Sequence, residues 1–309
     1  MKILFSADWH IKLGQKNVPR EWQVNRFQRF YSMIHDLSPK VDMHIIGGDI
    51  FDTIPSLSEL ALFALFLEGV NIPTYIFDGN HEATRKGKTF LSILKPVIER
   101  LQDRVTVLEG IQELEGVDII PYTHIKTFNP EDFHHSILFT HVRGNIPPHV
   151  KAEIDLDKLK HWELVIAGDL HSHTNSQANI VYPGSPMTVT FHRNVTNTGV
   201  LIVDTEDISY RWSSFVLPQL LRKTVETEEE MIATQFDHTI YEITGNIDEL
   251  SGVKKTNPLL DKKIVKRVVE SKLNFSKLET VEDELLAYFN EVKGLTNTDK
   301  IIKRYNDYI

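Results

Sequence analysis

Over the first 200 residues, short apolar runs alternate with stretches whose apolar positions recur at helical spacing. The runs at 2–7, 42–47, 74–77, 104–108, 117–121, 136–140, 163–167, 178–182 and 199–204 read as strands. Between the early ones, Phe27, Phe30, Tyr31 and Ile34 line one face of a helix predicted over 21–37. A second helix is predicted from Leu57, because Ser56 and Glu59 form a capping-box pair in front of an apolar run. Strand–helix alternation that gives way to strands with shorter connections predicts an α/β beginning merging into a second sheet. The expected fold is therefore α/β (α+β overall), a two-sheet β-sandwich core flanked by helices.

After about Ser213 the texture changes. The acidic run 226–230 reads as a solvated surface helix or linker, 238–243 as a strand, and the basic segment 262–267 as the polar end of a small α/β subdomain. Of its cations, Lys262, Lys263, Lys266 and Arg267 either form a solvated helix face or touch a polyanion. Two helical patterns close the chain. One places Val281, Leu285, Tyr288, Phe289 and Val292 on a face behind a Thr280 N-cap; the other carries Ile301, Ile302 and Tyr305. The expected divisions are a catalytic domain over 1–213, a capping subdomain over 214–275 and a helical segment over 276–309.

Composition narrows the chemistry. There is no cysteine, which excludes disulfides and thiolate metal sites and points to the cytoplasm. No stretch approaches the roughly 18 apolar residues of a membrane span. The N-terminal run is short and ends in Asp8, as a buried strand would rather than a signal peptide. A net charge of −9 argues against a free-standing DNA binder, since nonspecific affinity comes from neutralising phosphates. Two divalent cations would offset four of those charges inside the cleft, and a basic partner could supply the remaining grip.

Five of the predicted strands end in clusters of metal-competent side chains. They are Asp8-Trp9-His10, Gly47-Gly48-Asp49-Ile50-Phe51-Asp52, Gly79-Asn80-His81-Glu82, the single His141, and Gly168-Asp169-Leu170-His171-Ser172-His173. Ligands at i and i+2 of an extended chain emerge on one side and can share an ion. Taken singly, each cluster is ordinary turn chemistry or a core histidine. Five in this order along one chain are not.

This order resembles the signature of the calcineurin-like metallophosphoesterases: Asp-x-His, Gly-Asp, Gly-Asn-His, a lone His, then Gly-His-x-His. Within that superfamily the chain is most similar to SbcD-type nuclease subunits, which work with an SMC-like coiled-coil ATPase of the SbcC type. Gly48–Asp52 and Tyr182-Pro183-Gly184-Ser185-Pro186 carry that likeness, together with the trailing hundred residues. The resemblance implies the metallophosphoesterase fold and two divalent ions, with Mn²⁺ preferred and Mg²⁺ as the alternative. Asp8, His10 and His171 would hold the first ion, Asp49 would bridge both, and Asn80, His141 and Asp169 would hold the second. His173 stands as the alternative to His171. His81 would be catalytic without being a ligand, protonating the leaving oxygen or contacting the scissile phosphate. Glu82 would act behind the ligands. Tyr182, Ser185 and His192 would meet the substrate, with Arg193 beside them, while Asp52 would cap a turn.

Aspartate at 169, where family members carry histidine, is a departure. Three carboxylates against two divalent ions leave one positive charge rather than two, which favours metal retention over phosphate attraction. The implied activity is DNA exonuclease and endonuclease action in repair, recombination or replication, by a homodimer in the cytoplasm, or in a host's cytoplasm if phage-encoded. Two rival readings remain: a small-molecule phosphodiesterase or protein phosphatase on the same metal core, and a non-catalytic scaffold. The extra hundred residues weigh against the first and the intact donors against the second.

Overall fold

Side-chain alternation along the first strand sets up the layers. In β1 (Lys2–Ser6), Ile3 and Phe5 face one way and Leu4 the other, and all three are fully buried. A strand buried on both faces must lie between two layers. The computed structural model, which describes residues 1–83, 88–253, 256–266, 280–291 and 297–307, shows both.

β1 pairs in parallel with β2 (Met43–Gly47), which continues through β3 (Thr74–Phe77) to β4 (Val105–Val107), also in parallel. The crossovers are α1 (Arg20–Leu37), α2 (Leu57–Glu68) and α3 (Phe90–Leu101). The predicted capping box is present at α2, where Ser56 Oγ accepts from the Glu59 amide and Glu59 from the Ser56 amide. Helix α3 is absent from the sequence expectation; its Thr89 cap is formed, but Pro96 inside it masks the pattern. These helices cover the face of the sheet that carries Leu4, Ile46 and Ile76, closing it with Phe27, Phe30, Phe63, Phe66 and Ile98.

The second sheet runs β5 (Gln112–Leu114), β6 (Val117–Ile120), β7 (Ile137–His141), β8 (Leu164–Gly168) and β9 (Ile180–Val181), and is parallel from β6 onward. β10 (Thr198–Asp204) then returns antiparallel to β1, with β11 (Ser209–Phe215) outside it, completing a six-stranded sheet. Between the sheets lies a layer built from Ile3, Phe5, Ile45 and Phe77 on one side and Ile119, Phe139 and Ile166 on the other. This is the expected sandwich. Among the described residues, α1, α2 and α3 flank one side of it. The outer face of the second sheet is closed by loops and 3₁₀ turns that carry Phe128, Phe133, Leu159 and Trp162.

A third sheet contains β12 (Leu220–Val225), β13 (His238–Gly245) and β14 (Leu260–Val265), with α4 (Ile247–Gly252) between the last two strands. Lys262 and Lys263 thus sit on a strand rather than on a helix face. The chain divides into two compact units, 1–243 with 253–263, and 244–252 with 264–309. The expected division at 213 falls inside β11. The second unit holds α5 (Val281–Glu291) and α6 (Thr298–Asn306), and Thr280 caps α5 by accepting from the Asp283 amide at 3.2 Å. Val292 and Arg267 lie outside the described residues. Among the described residues no helix is long and apolar enough to cross a membrane.

Candidate metal centre

All five clusters lie at the C-terminal ends of strands: β1, β2 and β3 in one sheet, β7 and β8 in the other. Each group is parallel within its sheet, so topology alone brings the five ends to common edges, where parallel α/β sheets place their ligands. The loops are then stitched together. The Asp8 amide donates to the Gly48 carbonyl at 3.1 Å, the His10 amide to Asp49 at 2.9 Å and the Ile11 amide to Ile50 at 2.7 Å. The Asp169 amide donates to the Asp8 carboxylate at 3.1 and 3.2 Å.

Four of the candidate ligands occupy strained backbone. Asp8, His10, Asp49 and Asp169 all have positive φ (57°, 46°, 53° and 99°), where a non-glycine residue costs about 1–3 kcal/mol. Trp9 offsets part of this in the first cluster. It points away from its neighbours into the helical layer, 1% exposed, with its ring edge-on to Phe30 at 4.9 Å and Phe66 at 4.8 Å. Burying an indole of roughly 200 Å² at about 25 cal/mol per Å² contributes on the order of 5 kcal/mol, enough to hold two strained neighbours in place. Gly48 and Gly79 permit the close approach of the second and third clusters. A Cβ on Gly48 would lie 2.5 Å from the Gly79 nitrogen, and one on Gly79 would lie 2.2 Å from Asp49 Oδ1.

The donor atoms meet around Asp49. Its Oδ2 lies 3.6 Å from His10 Nε2, 3.6 Å from His141 Nε2, 3.9 Å from His81 Nε2 and 3.1 Å from the amide end of Asn80. On one side, Asp8, His10 and His171 form a set of possible ligands, with the Nε2 atoms of the two histidines 3.0 Å apart. On the other, Asp8, Asp49 and His141 form a second set. There the end of Asn80 lies 3.0 Å from His141 Nε2 and 3.2 Å from Asp169 Oδ1, and Asp169 Oδ1 is 3.9 Å from His141 Nε2. A third set, His10, Asp49 and His81, overlaps the first. Histidine nitrogens aimed at one another and at a shared carboxylate oxygen fit divalent cations between them, and nitrogen with oxygen donors suits Mn²⁺ or a similar ion.

Electrostatics agree. Asp8 is fully buried, and burial pushes its carboxyl well above the usual range, with Asp49 and Asp169 adding to the effect. Burial alone would lower His141, but Asp49, Asp8 and Asp169 override it and hold the imidazole up at about 9. His141 Nδ1 faces the Gly47 carbonyl at 2.8 Å, leaving Nε2 for the cluster. His171 is held down at about 4 by burial of its ring and by His10, so it is neutral and ready to coordinate. Concentrated acidity in a buried site calls for cations.

Supporting residues are equally specific. Glu82 is wholly buried and accepts from the amides of Asp49, Ile50 and Gly79 at 2.8–2.9 Å and from Phe51 at 3.3 Å, tying the second cluster to the third. Burial pushes its carboxyl up to about 7 against the pull of those amides. Asp52 has more than a turn to hold. Its Oδ1 stands 3.6 Å from His10 Nδ1 and it pairs with Lys12; the His10 contact is the main cause holding its carboxyl below the usual range. A carboxylate so placed stands behind a candidate ligand histidine, although at 3.6 Å it leaves His10 Nδ1 without a hydrogen bond. His81 Nδ1 meets the Asp52 carbonyl at 2.6 Å, which turns Nε2 toward the cluster.

The other sequence candidates fall in different places. His173 Nδ1 faces the Tyr182 carbonyl at 2.6 Å, and its ring stacks on Trp212 at 5.3 Å, so it belongs to none of the three sets. Ser185 and His192 line a cavity of about 400 Å³ that also includes His171, His173 and Trp212. Ser185 Oγ is buried there without a hydrogen-bond partner. Tyr182 is fully buried and donates its hydroxyl to the Val142 carbonyl at 3.1 Å, shaping the loop from behind. Arg193 is committed to Glu242 at 2.8 Å. One residue has no signal in the sequence pattern: Arg143, whose guanidinium grips Asp169 at 3.1 and 3.2 Å.

A family model described as calcineurin-like phosphoesterase matches residues 1–172. The chain is 42% identical to a protein of Escherichia phage T5 named "Probable exonuclease subunit 1", over 323 aligned residues that cover 100% of this chain and 99% of that one. Among solved structures, a novel archaeal phosphodiesterase is 15% identical with a TM-score of 0.40, covering 70% of this chain and 100% of its own. A protein of Thermus thermophilus is 12% identical with a TM-score of 0.42, covering 69% and 98%.

Proposed function

Because this chain belongs to the calcineurin-like phosphoesterase family, we propose that it is the nuclease subunit of a DNA-processing complex, an exonuclease with endonuclease action in repair, recombination or replication. It is a metal-dependent phosphodiesterase. The observation that carries the reading is the convergence on Asp49 Oδ2, which lies within 3.9 Å of donor atoms from His10, Asn80, His81 and His141. A carboxylate so placed serves two cations at once.

We assign Asp8, His10, His171 and Asp49 to the first divalent ion and Asp49, Asn80, His141 and Asp169 to the second, with Mn²⁺ the preferred metal. When bound, such ions supply a nucleophile at neutral pH and stabilise charge on the phosphate. The chain's own residues do the rest. Asp52 places its charge 3.6 Å from His10 Nδ1, and the Gly47 carbonyl orients His141. His81, held at Nδ1 by the Asp52 carbonyl, presents Nε2 to the leaving oxygen and delivers a proton there. Ser185 and His192 take the substrate strand in the adjoining cavity. DNA phosphates meet Lys16, Lys262 and Lys263, which line a second cavity of about 400 Å³.

The partner is an SMC-like ATPase of the SbcC type, engaged by the C-terminal helical segment, and the subunit works as a homodimer in the cytoplasm of its cell or host. The dimer reading has support on α3, where Ile93, Val97 and Leu101 are 73%, 56% and 60% exposed at four-residue spacing, on one face of the helix. The test is degradation of linear duplex DNA with Mn²⁺, with and without a co-expressed ATPase subunit. Duplex left intact in both arms while a generic phosphodiester reporter is cleaved would return the assignment to a small-molecule phosphodiesterase. A tagged purification that recovers no large ATPase would remove the partner.

A further inference from the structure

Arg143 follows His141, the last residue of β7, by two positions. Its Nε lies 3.1 Å from Asp169 Oδ2 and its Nη2 3.2 Å from Asp169 Oδ1, the fork that a planar guanidinium makes with a carboxylate. The Arg143 amide donates to Glu153 Oε1 at 3.0 Å, which anchors the backbone beneath the fork. The Asp169 side chain is 5% exposed and the Arg143 side chain 42%, so the cation stands outside a carboxylate that faces inward. Asp169 Oδ1 meets Asn80 and His141 on its inner side while Nη2 approaches the same oxygen from the outer side.

This pair changes the charge of the site. Asp8, Asp49 and Asp169 bring three negative charges, and Arg143 returns one of them. With the arginine counted, three carboxylates and two divalent ions sum to two positive charges, one more than the sequence expectation allowed. We propose that Arg143 is a charge-setting residue: it offsets the charge of Asp169 from its outer edge and restores the attraction for phosphate that the extra carboxylate removes. Asp169 and Arg143 then act as one unit, equivalent in charge to a neutral ligand at 169. The proposal rests on the assignment of Asp169 to the second ion.

A residue that only braced the loop would weaken every function together. A charge-setting residue moves two affinities in opposite directions. In R143Q the freed carboxylate binds the cation more strongly and the site repels anions more. With one unit charge removed within hydrogen-bond distance of the carboxylate but partly exposed to water, each change should be about tenfold. The measurements are calorimetric: Mn²⁺ binding to the metal-stripped protein, and inorganic phosphate binding to the Mn²⁺-loaded protein. R143Q should bind Mn²⁺ about tenfold more tightly and phosphate about tenfold more weakly than wild type. In D169H the signs should reverse, and D169H/R143Q, with the wild-type charge, should return close to wild type in both. R143K keeps the charge but loses the fork and should retain phosphate affinity within about threefold.

Weaker Mn²⁺ binding in R143Q, unchanged phosphate affinity in R143Q, or a double variant that keeps the R143Q defect would each overturn the proposal. So would an R143K that loses phosphate as R143Q does, and this arm stands if R143Q does not fold. Wild-type protein that binds fewer than two Mn²⁺ ions would overturn the two-ion assignment itself. Two ions in wild type with an unaltered R143Q would overturn the arginine's role alone.

Discussion

His44 should make the protein acid-sensitive from directly behind the first cluster of candidate ligands. It is 2% exposed in β2, with its ring 6.4 Å from Trp9 in a stacked arrangement and edge-on to Phe66. The Trp9 indole N–H donates to Ser6 Oγ at 3.0 Å, and Ser6 in turn meets His44 Nε2 at 2.9 Å. The Ser6 hydroxyl can accept from Trp9 and still bond His44 Nε2, so this side-chain chain is satisfied with a neutral imidazole. Burial holds His44 down at about 3, with a small contribution from His35, against 6.5 for a free imidazole. The folded-state value is the lower one, so the unfolded chain binds the extra proton. Stability from this residue is complete above pH 6.5 and is lost as pH falls from there toward 3. The loss is about 1.4 kcal/mol per pH unit, or about 2 kcal/mol between pH 7.5 and pH 5. That is a large share of the 5–15 kcal/mol typical of a folded domain.

Replacing His44 with leucine removes the titrating group while keeping an apolar side chain of similar size. The variant loses the Ser6 hydrogen bond at every pH, a constant offset of about 1 kcal/mol. Urea unfolding of the metal-free protein at half-unit steps from pH 7.5 to pH 5 separates the two effects, because only the slope reports on the proton. Wild type should lose about 2 kcal/mol more than His44→Leu across that range. Parallel curves, differing by less than about 0.5 kcal/mol in their pH dependence, would mean that His44 is not held neutral, and the reasoning from burial would fail.

His81→Ala should retain both metal ions by calorimetry while kcat falls about 10²- to 10⁴-fold, the usual contribution of a positioned general acid; loss of an ion would make His81 a ligand, as its membership of the set with His10 and Asp49 allows. Metal binding should also release protons. His141 is held up at about 9 in the metal-free site and must give up its proton to coordinate, so Mn²⁺ affinity should rise with pH toward 9. Titration in two buffers of different ionisation enthalpy measures the proton count, and zero release at pH 7.5 would refute it.

Nine of the eleven sandwich strands, all but β5 and β11, were legible because each is buried on a side that the apolar pattern announces. Thr74–Phe77 emerges as predicted, and Lys2–Ala7 and Asp42–Gly47 differ from their strands by a single terminal residue. Glu82 was legible as a supporting residue, although nothing in sequence indicates that it gathers four amides from two loops. What stayed hidden were features set by tertiary contact. β11 alternates with mostly exposed polar residues and earns its place only by pairing with β10 along its whole length. Asp52 looked like a turn cap, because the His10 nitrogen it faces is brought there by hydrogen bonds between loops 40 residues apart in the chain.

The same blindness explains the charge of the site. Local sequence shows a carboxylate at 169 where the family pattern carries an imidazole, and from that fact alone the balance tips toward metal retention. The compensating arginine lies 26 positions earlier, and the two meet only because β7 and β8 are parallel neighbours whose C-terminal ends coincide, with His141 registered on Gly168. Register therefore decides electrostatics here. A slip of one residue would turn the side chains after β7 to the opposite face, leaving Asp169 unpaired beside two other buried carboxylates. His141 would turn away as well, and Coulomb repulsion among those groups would then be answered chiefly by whatever cations the site takes up.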